Sequence, residues 1–99
     1  MSTFKAYFSE DFSHELIGEI TGTSAYALFP SVPGYAFKLQ GRSTNLGSFM
    51  IGTNSGTLAY EVDAGFDTDW FPLVTKNLNS LYFENVSGSS ERLTYWVKQ

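Results

Sequence analysis

The feature that most constrains this chain is the shortness and strict alternation of its apolar runs. In Tyr35-Ala36-Phe37-Lys38-Leu39-Gln40-Gly41-Arg42, the residues Tyr35, Phe37 and Leu39 fall on one side of an extended backbone and Lys38, Gln40 and Arg42 on the other. Successive strand side chains point to opposite faces, so this is the signature of a half-buried strand. Phe49 with Ile51, then Leu58, Tyr60 and Val62, then Leu81 with Phe83 repeat the pattern, and the C-terminal run alternates Leu93, Tyr95 and Val97 with Arg92, Thr94, Trp96 and Lys98. Turn signals separate the runs: Thr21-Gly22-Thr23, Pro30 to Gly34, Ser43 to Gly47, Gly52 to Gly56, Asp63 to Gly65, Lys76 to Ser80 and Ser87 to Ser90. Strands of this kind with turns every ~8–12 residues specify an all-β antiparallel sandwich or barrel. A chain of 99 residues holds one such domain.

The last run carries the sharpest functional hint. With Leu93, Tyr95 and Val97 in the core, the pleat puts Trp96 on the opposite face beside Arg92 and Lys98. Trp and Arg are the residue types most enriched at binding hot spots. The alternative is that Trp96 packs under the N-terminal segment of its own chain. That segment reads differently from the rest: Phe4, Phe8, Phe12, Leu16 and Ile20 recur every four residues, which suits an amphipathic helix or helical turn, although Leu16, Gly18 and Ile20 also fit the start of a strand. Its apolar side chains need cover from the sandwich or from a neighbour. Residues 1–20 are therefore read as an N-terminal arm or short helix that docks, and 21–99 as the sandwich.

Composition narrows the function classes. Aromatic residues make up 17% of the chain and charged residues only 16%, a balance that favours strands and interfaces. Six basic residues against ten acidic ones, the basic ones scattered, argue against a nucleic-acid partner, which needs clustered Lys and Arg for its phosphates. No apolar stretch reaches the ~18 residues of a membrane-spanning helix, and the N-terminus lacks the layout of a signal peptide, so neither a membrane nor export is expected. With no cysteine there is no disulfide, thiolate nucleophile or Cys-type zinc site, and oligomerisation is the usual supplement to a core this small.

No motif for catalysis, a cofactor or a metal emerges. His14 is the sole histidine and stands between Ser13 and Glu15 with no elbow-type serine elsewhere, so it reads as a surface residue. Glu61, Asp63, Asp67 and Asp69 form the one acidic cluster, but their spacing does not fit a calcium loop and they read as solvated turn carboxylates. Gly52, Gly56 and Ser87 to Ser90 lack the Lys-Ser or Lys-Thr ending of a phosphate loop and read as tight turns. Asn85-Val86-Ser87 is formally a glycosylation sequon without a secretory context.

From Thr21 onward, an ordered series of segments resembles small bacteriophage virion proteins of the capsid decoration (cement) and head-fibre type. The segments are Thr21-Gly22-Thr23, Leu28-Phe29-Pro30-Ser31-Val32-Pro33, Phe37-Lys38-Leu39-Gln40-Gly41 and Asn45-Leu46-Gly47-Ser48-Phe49-Met50-Ile51-Gly52. Then come Ala64-Gly65, Phe71-Pro72-Leu73, Asn77-Leu78-Asn79-Ser80-Leu81-Tyr82-Phe83, Ser87-Gly88 and the strand to Val97. The Asp67-Thr68-Asp69-Trp70 insert and the Phe-rich N-terminus depart from that pattern. The resemblance implies a compact, jelly-roll-like antiparallel sandwich on the outside of a capsid, assembled in the host cytoplasm, commonly trimeric and bridging units of the major capsid protein. The expected contact residues are Phe4, Phe8 and Phe12 in the arm, Trp70 and Phe71 after the acidic turn, and Trp96 on the last strand. The competing expectation is a carbohydrate-binding tail- or fibre-associated module with Trp70, Tyr82 and Trp96 as a stacking platform.

Overall fold

A computed structural model describes residues 15–53, 58, 60–88 and 90–99 of the chain. The described residues form eight strands: β1 (Glu15–Thr21), β2 (Ala27–Leu28), β3 (Ala36–Gly41), β4 (Phe49–Gly52), β5 (Tyr60–Val62), β6 (Phe71–Pro72), β7 (Tyr82–Glu84) and β8 (Arg92–Lys98). One 3-10 turn, Leu78–Ser80, precedes β7, and the Asn77 side chain caps it by accepting the Asn79 amide. The strands make two four-stranded sheets, β1-β8-β3-β6 and β2-β7-β4-β5, and every pairing between them is antiparallel. The pairings are nested. The first strand pairs with the eighth, the second with the seventh, the third with the sixth and the fourth with the fifth, alternately in one sheet and the other.

The alternation in sequence becomes the two sides of each sheet. Ile20, Phe37, Leu39, Leu93, Tyr95 and Val97 turn inward from the first sheet, and Phe49, Ile51, Val62 and Phe83 turn inward from the second; all are buried. Phe29, Val32, Leu73, Leu78 and Leu81 from the connections complete the core, with Phe83 wedged between Phe29 and Phe49 at ring separations of 5.1 and 6.2 Å. Such offset and edge-on aromatic pairs are favourable beyond their buried area.

Two expectations change here. Residues 15–20, assigned to the arm by their four-residue spacing, form β1, a full member of the first sheet in register with β8 from Glu15↔Lys98 to Thr21↔Arg92. The strand wins because Leu16, Gly18 and Ile20 also obey period two, and Gly18 leaves room for the Tyr95 ring: a Cβ there would lie 2.2 Å from the Tyr95 hydroxyl. Tyr35, grouped with the core, stands at a bend before β3 and is 52% exposed, although its backbone still bonds Lys98 and Leu73.

The segment before β6 is irregular in an informative way. Pro72 and Phe71 oppose Ala36 and Phe37, but the next bridge is Gln40↔Asp67. Two residues of β3, Lys38 and Leu39, thus face three, Thr68, Asp69 and Trp70, which is the two-strand mismatch of a β-bulge. Thr68 is buried and stitches the bulge down: its hydroxyl accepts the Leu39 amide at 2.9 Å and donates to the Asp69 carbonyl at 2.9 Å, while its own amide bonds the Leu39 carbonyl.

Candidate functional site

The outer face of the first sheet is where the distinctive side chains meet. Its outward positions are Glu15, Ile17 and Glu19 on β1, Arg92, Thr94, Trp96 and Lys98 on β8, and Ala36, Lys38 and Gln40 on β3, each alternating with an inward residue. The register aligns Ile17, Trp96 and Lys38 in one row. Trp70 joins its end, because it alternates with Phe71, which pairs inward with Phe37, and so falls on the outer face beside Lys38. Lys38 Nζ lies 4.9 Å from the Trp96 ring centroid and 5.6 Å from that of Trp70, and Lys98 Nζ lies 4.4 Å from the Trp70 ring. At exposed sites a cation over an indole contributes about 0.5–1 kcal/mol, enough to hold the lysines down over the rings. Ile17, 52% exposed, extends the apolar row to the β1 edge.

The other end of the same face is closed on itself. Glu19 takes Arg42 at 3.0 Å and Arg92 at 3.7 Å. Lys38 and Lys98 make no ion pair and donate no hydrogen bond to any described residue. Each ammonium has three donors that no described residue accepts.

Of the residues singled out in the sequence, Trp70 and Trp96 come together here, bridged by Lys38. Phe71 does not join them: it turns inward, half-buried, with its ring 5.5 Å from Phe37 and 5.3 Å from Tyr60. Phe4, Phe8, Phe12 and His14 lie outside the described residues. Tyr82 projects from the outer face of the second sheet, level with Leu28 and Gly52, so the three-ring platform of Trp70, Tyr82 and Trp96 is not assembled. The acidic cluster is dispersed as well: Glu61 is outward on β5, Asp63 accepts a hydrogen bond from the Ser48 hydroxyl, and Asp67 and Asp69 flank Thr68 beside β3. Among the described residues no three His, Cys, Asp or Glu side chains converge as a metal site. No helix among them is long and apolar enough to cross a membrane.

Sequence reasoning missed a second constellation, at one end of the sandwich. Glu91, 1% exposed, accepts the amides of Leu46 at 2.7 Å and Gly47 at 2.7 Å, with the Asn85 side chain at 3.5 Å. The Leu46 amide above all holds this carboxyl below its ordinary range; burial pushes the other way, and Gly47 and Asn85 add to the lowering. Asn45 exchanges two bonds with the Arg92 backbone, at 2.8 and 2.9 Å. Asn85 is 1% exposed, its side chain accepts the Ser87 amide and its backbone amide bonds Thr23, so the apparent sequon is a turn-former. Gly22 is required at this junction, where a Cβ would lie 2.4 Å from the Gly88 carbonyl. The partners are more than 40 residues apart in sequence, which is why no local motif signals them.

An apolar groove of about 320 Å³ opens between the sheets along β5 and β6, lined by Phe37, Ile51, Tyr60, Phe71, Pro72 and Leu81. It offers a ligand no charged group. Comparison with protein-family models, characterised proteins and solved structures finds no match to this chain.

Proposed function

We propose that the protein is a non-enzymatic structural component of a bacteriophage particle, a decoration or cement subunit that sits on the capsid exterior, contacts the major capsid protein and self-associates, as a trimer in the favoured form. The observation that carries this reading is the row Ile17, Trp96 and Lys38 on one face, with Trp70 beside Lys38 at its end. A rigid sheet with aromatic anchors in a row and a charged rim is the composition of an interface core. The nested order 1-8-3-6 and 2-7-4-5 supports a jelly-roll reading of the sandwich, an architecture used by viral shell proteins and by lectins. Fold alone does not choose between those uses, so the argument rests on the face.

Immunolabelling of intact particles is the direct test. Label on the head exterior supports the reading, and absence of the protein from purified virions rejects it. Because β1 begins at Glu15, deletion of residues 1–14 should leave the sandwich folded while abolishing incorporation; unchanged occupancy removes the arm from the docking role.

A carbohydrate-binding module on a tail or fibre is the second reading, favoured by two indoles on one face. A glycan array separates the two: the decoration reading expects no glycan bound, and the lectin reading expects saturable binding to a defined sugar.

A further inference from the structure

We infer that the Lys38–Lys98–Trp70–Trp96 cluster is a recognition site for carboxylates on an acidic protein surface. This inference rests on the docking reading above and names the chemistry of the surface that docks. In a chain with ten acidic and six basic residues, carboxylates are plentiful, yet the two lysines gathered on this face meet none among the described residues. Glu19 is committed to Arg42 and Arg92. Glu15 is opposite Lys98 in register without forming an ion pair, and Asp69 precedes Trp70 without reaching Lys38.

The geometry prefers a carboxylate to a sugar ring. Stacking a sugar requires a free indole face, and here Lys38 lies over both rings while Lys98 lies over Trp70. What the cluster offers outward is ammonium N–H. The indoles under those ammoniums restrict their motion and exclude water from one side, which strengthens a charge-assisted bond to an incoming carboxylate. Ile17, exposed, and the two half-buried indoles supply the apolar surround of such a contact. The outer face of the second sheet contrasts with this: Glu61 and Glu84 point outward there beside Met50, and no cation accompanies them among the described strand positions. The cationic side is the side that docks.

The chain's two tryptophans are both in the cluster, so tryptophan emission, excited selectively over the six tyrosines, reports on this site. The full-length protein is titrated with poly-L-glutamate, with polygalacturonate as the anionic polysaccharide, and by its own dilution. Saturable change with poly-L-glutamate is expected. It should weaken at least tenfold in the Lys38→Gln/Lys98→Gln variant and at least tenfold between 0.05 and 0.5 M salt, by ~Debye screening. Circular dichroism and thermal midpoint confirm that the variant is folded. No response to poly-L-glutamate, an unweakened variant, tighter binding of polygalacturonate, or a signal that changes on dilution alone each overturns the inference, the last in favour of a second copy on this face. Particle occupancy separates the two levels. If the double variant enters virions as well as wild type does, the carboxylate site is wrong and the virion reading stands; if wild type is absent from virions, the virion reading fails while the titration still decides the site.

Discussion

The Glu91 junction and the Lys38 cluster are both charged groups set among loops and strands, and they are resolved in opposite ways. Glu91 is buried and its oxygens are taken by amides of its own chain, so its chemistry is consumed in holding the Asn45–Gly47 loop to the turn before β8. Lys38 and Lys98 are half-exposed, rest on indoles and carry donors that no described residue accepts. An internally satisfied charge specifies the fold, because removing one partner strands the others. An externally unsatisfied charge leaves the fold nearly indifferent and makes the surface selective.

Substitution at the junction should cost the most. Glu91→Ala leaves the Leu46 and Gly47 amides without acceptors and is expected to produce the largest fall in thermal midpoint of these variants, with Glu91→Gln intermediate; calorimetry measures both. The pH dependence has a definite sign. The folded pKa of Glu91 is depressed, so its contribution to stability is complete above the unfolded value of about 4.3 and is lost as pH falls through the lower folded value. Denaturant midpoints from pH 6 to 2 should therefore decline in wild type below about pH 4.3, and the Glu91→Gln variant should lack that part of the decline.

Next in size is the bulge. Thr68→Val keeps the shape but removes the acceptor of the buried Leu39 amide, an expected loss of about 1–3 kcal/mol in chemical denaturation. Because Trp70 belongs to the bulged segment, its emission should shift in the same variant. The smallest effects on stability belong to the face itself. Lys38→Gln and Lys98→Gln should each cost about 1 kcal/mol or less, and Ile17→Ser about 0.5 kcal/mol or less, while particle occupancy falls in all three. A large stability loss at Ile17 or Lys38 would erase the contrast between the two regions.

Legibility in the sequence followed the length of the alternation. β3 and β8 run for six and seven residues, long enough for period two to fix which side is buried, and the outward aim of Trp96 followed from Leu93, Tyr95 and Val97. β2 and β6 are two residues each and offer no period to read, so Phe71 was grouped with its neighbour Trp70 although the pleat sends the two to opposite faces. The bulge is invisible in one dimension because it is defined by a mismatch with β3. Lys38 was legible as an outward residue but not as the bridge between two indoles. Its partners come from β8 and from the bulge, and no spacing within one segment encodes that meeting.

Nested pairing also has a kinetic side. The innermost pair, β4 with β5, closes over a short connection, whereas β1 and β8 meet across almost the whole described chain. Loop-closure entropy makes distant pairings slower to form than local ones, so the pairing of β8 with β1 is expected to follow that of β4 with β5. Trp96 arrives on that strand, and only then do two indoles and two ammoniums stand together. Short of that pairing the row of Ile17, Trp96 and Lys38 does not exist, so the face belongs to the whole described fold and to no single segment of it.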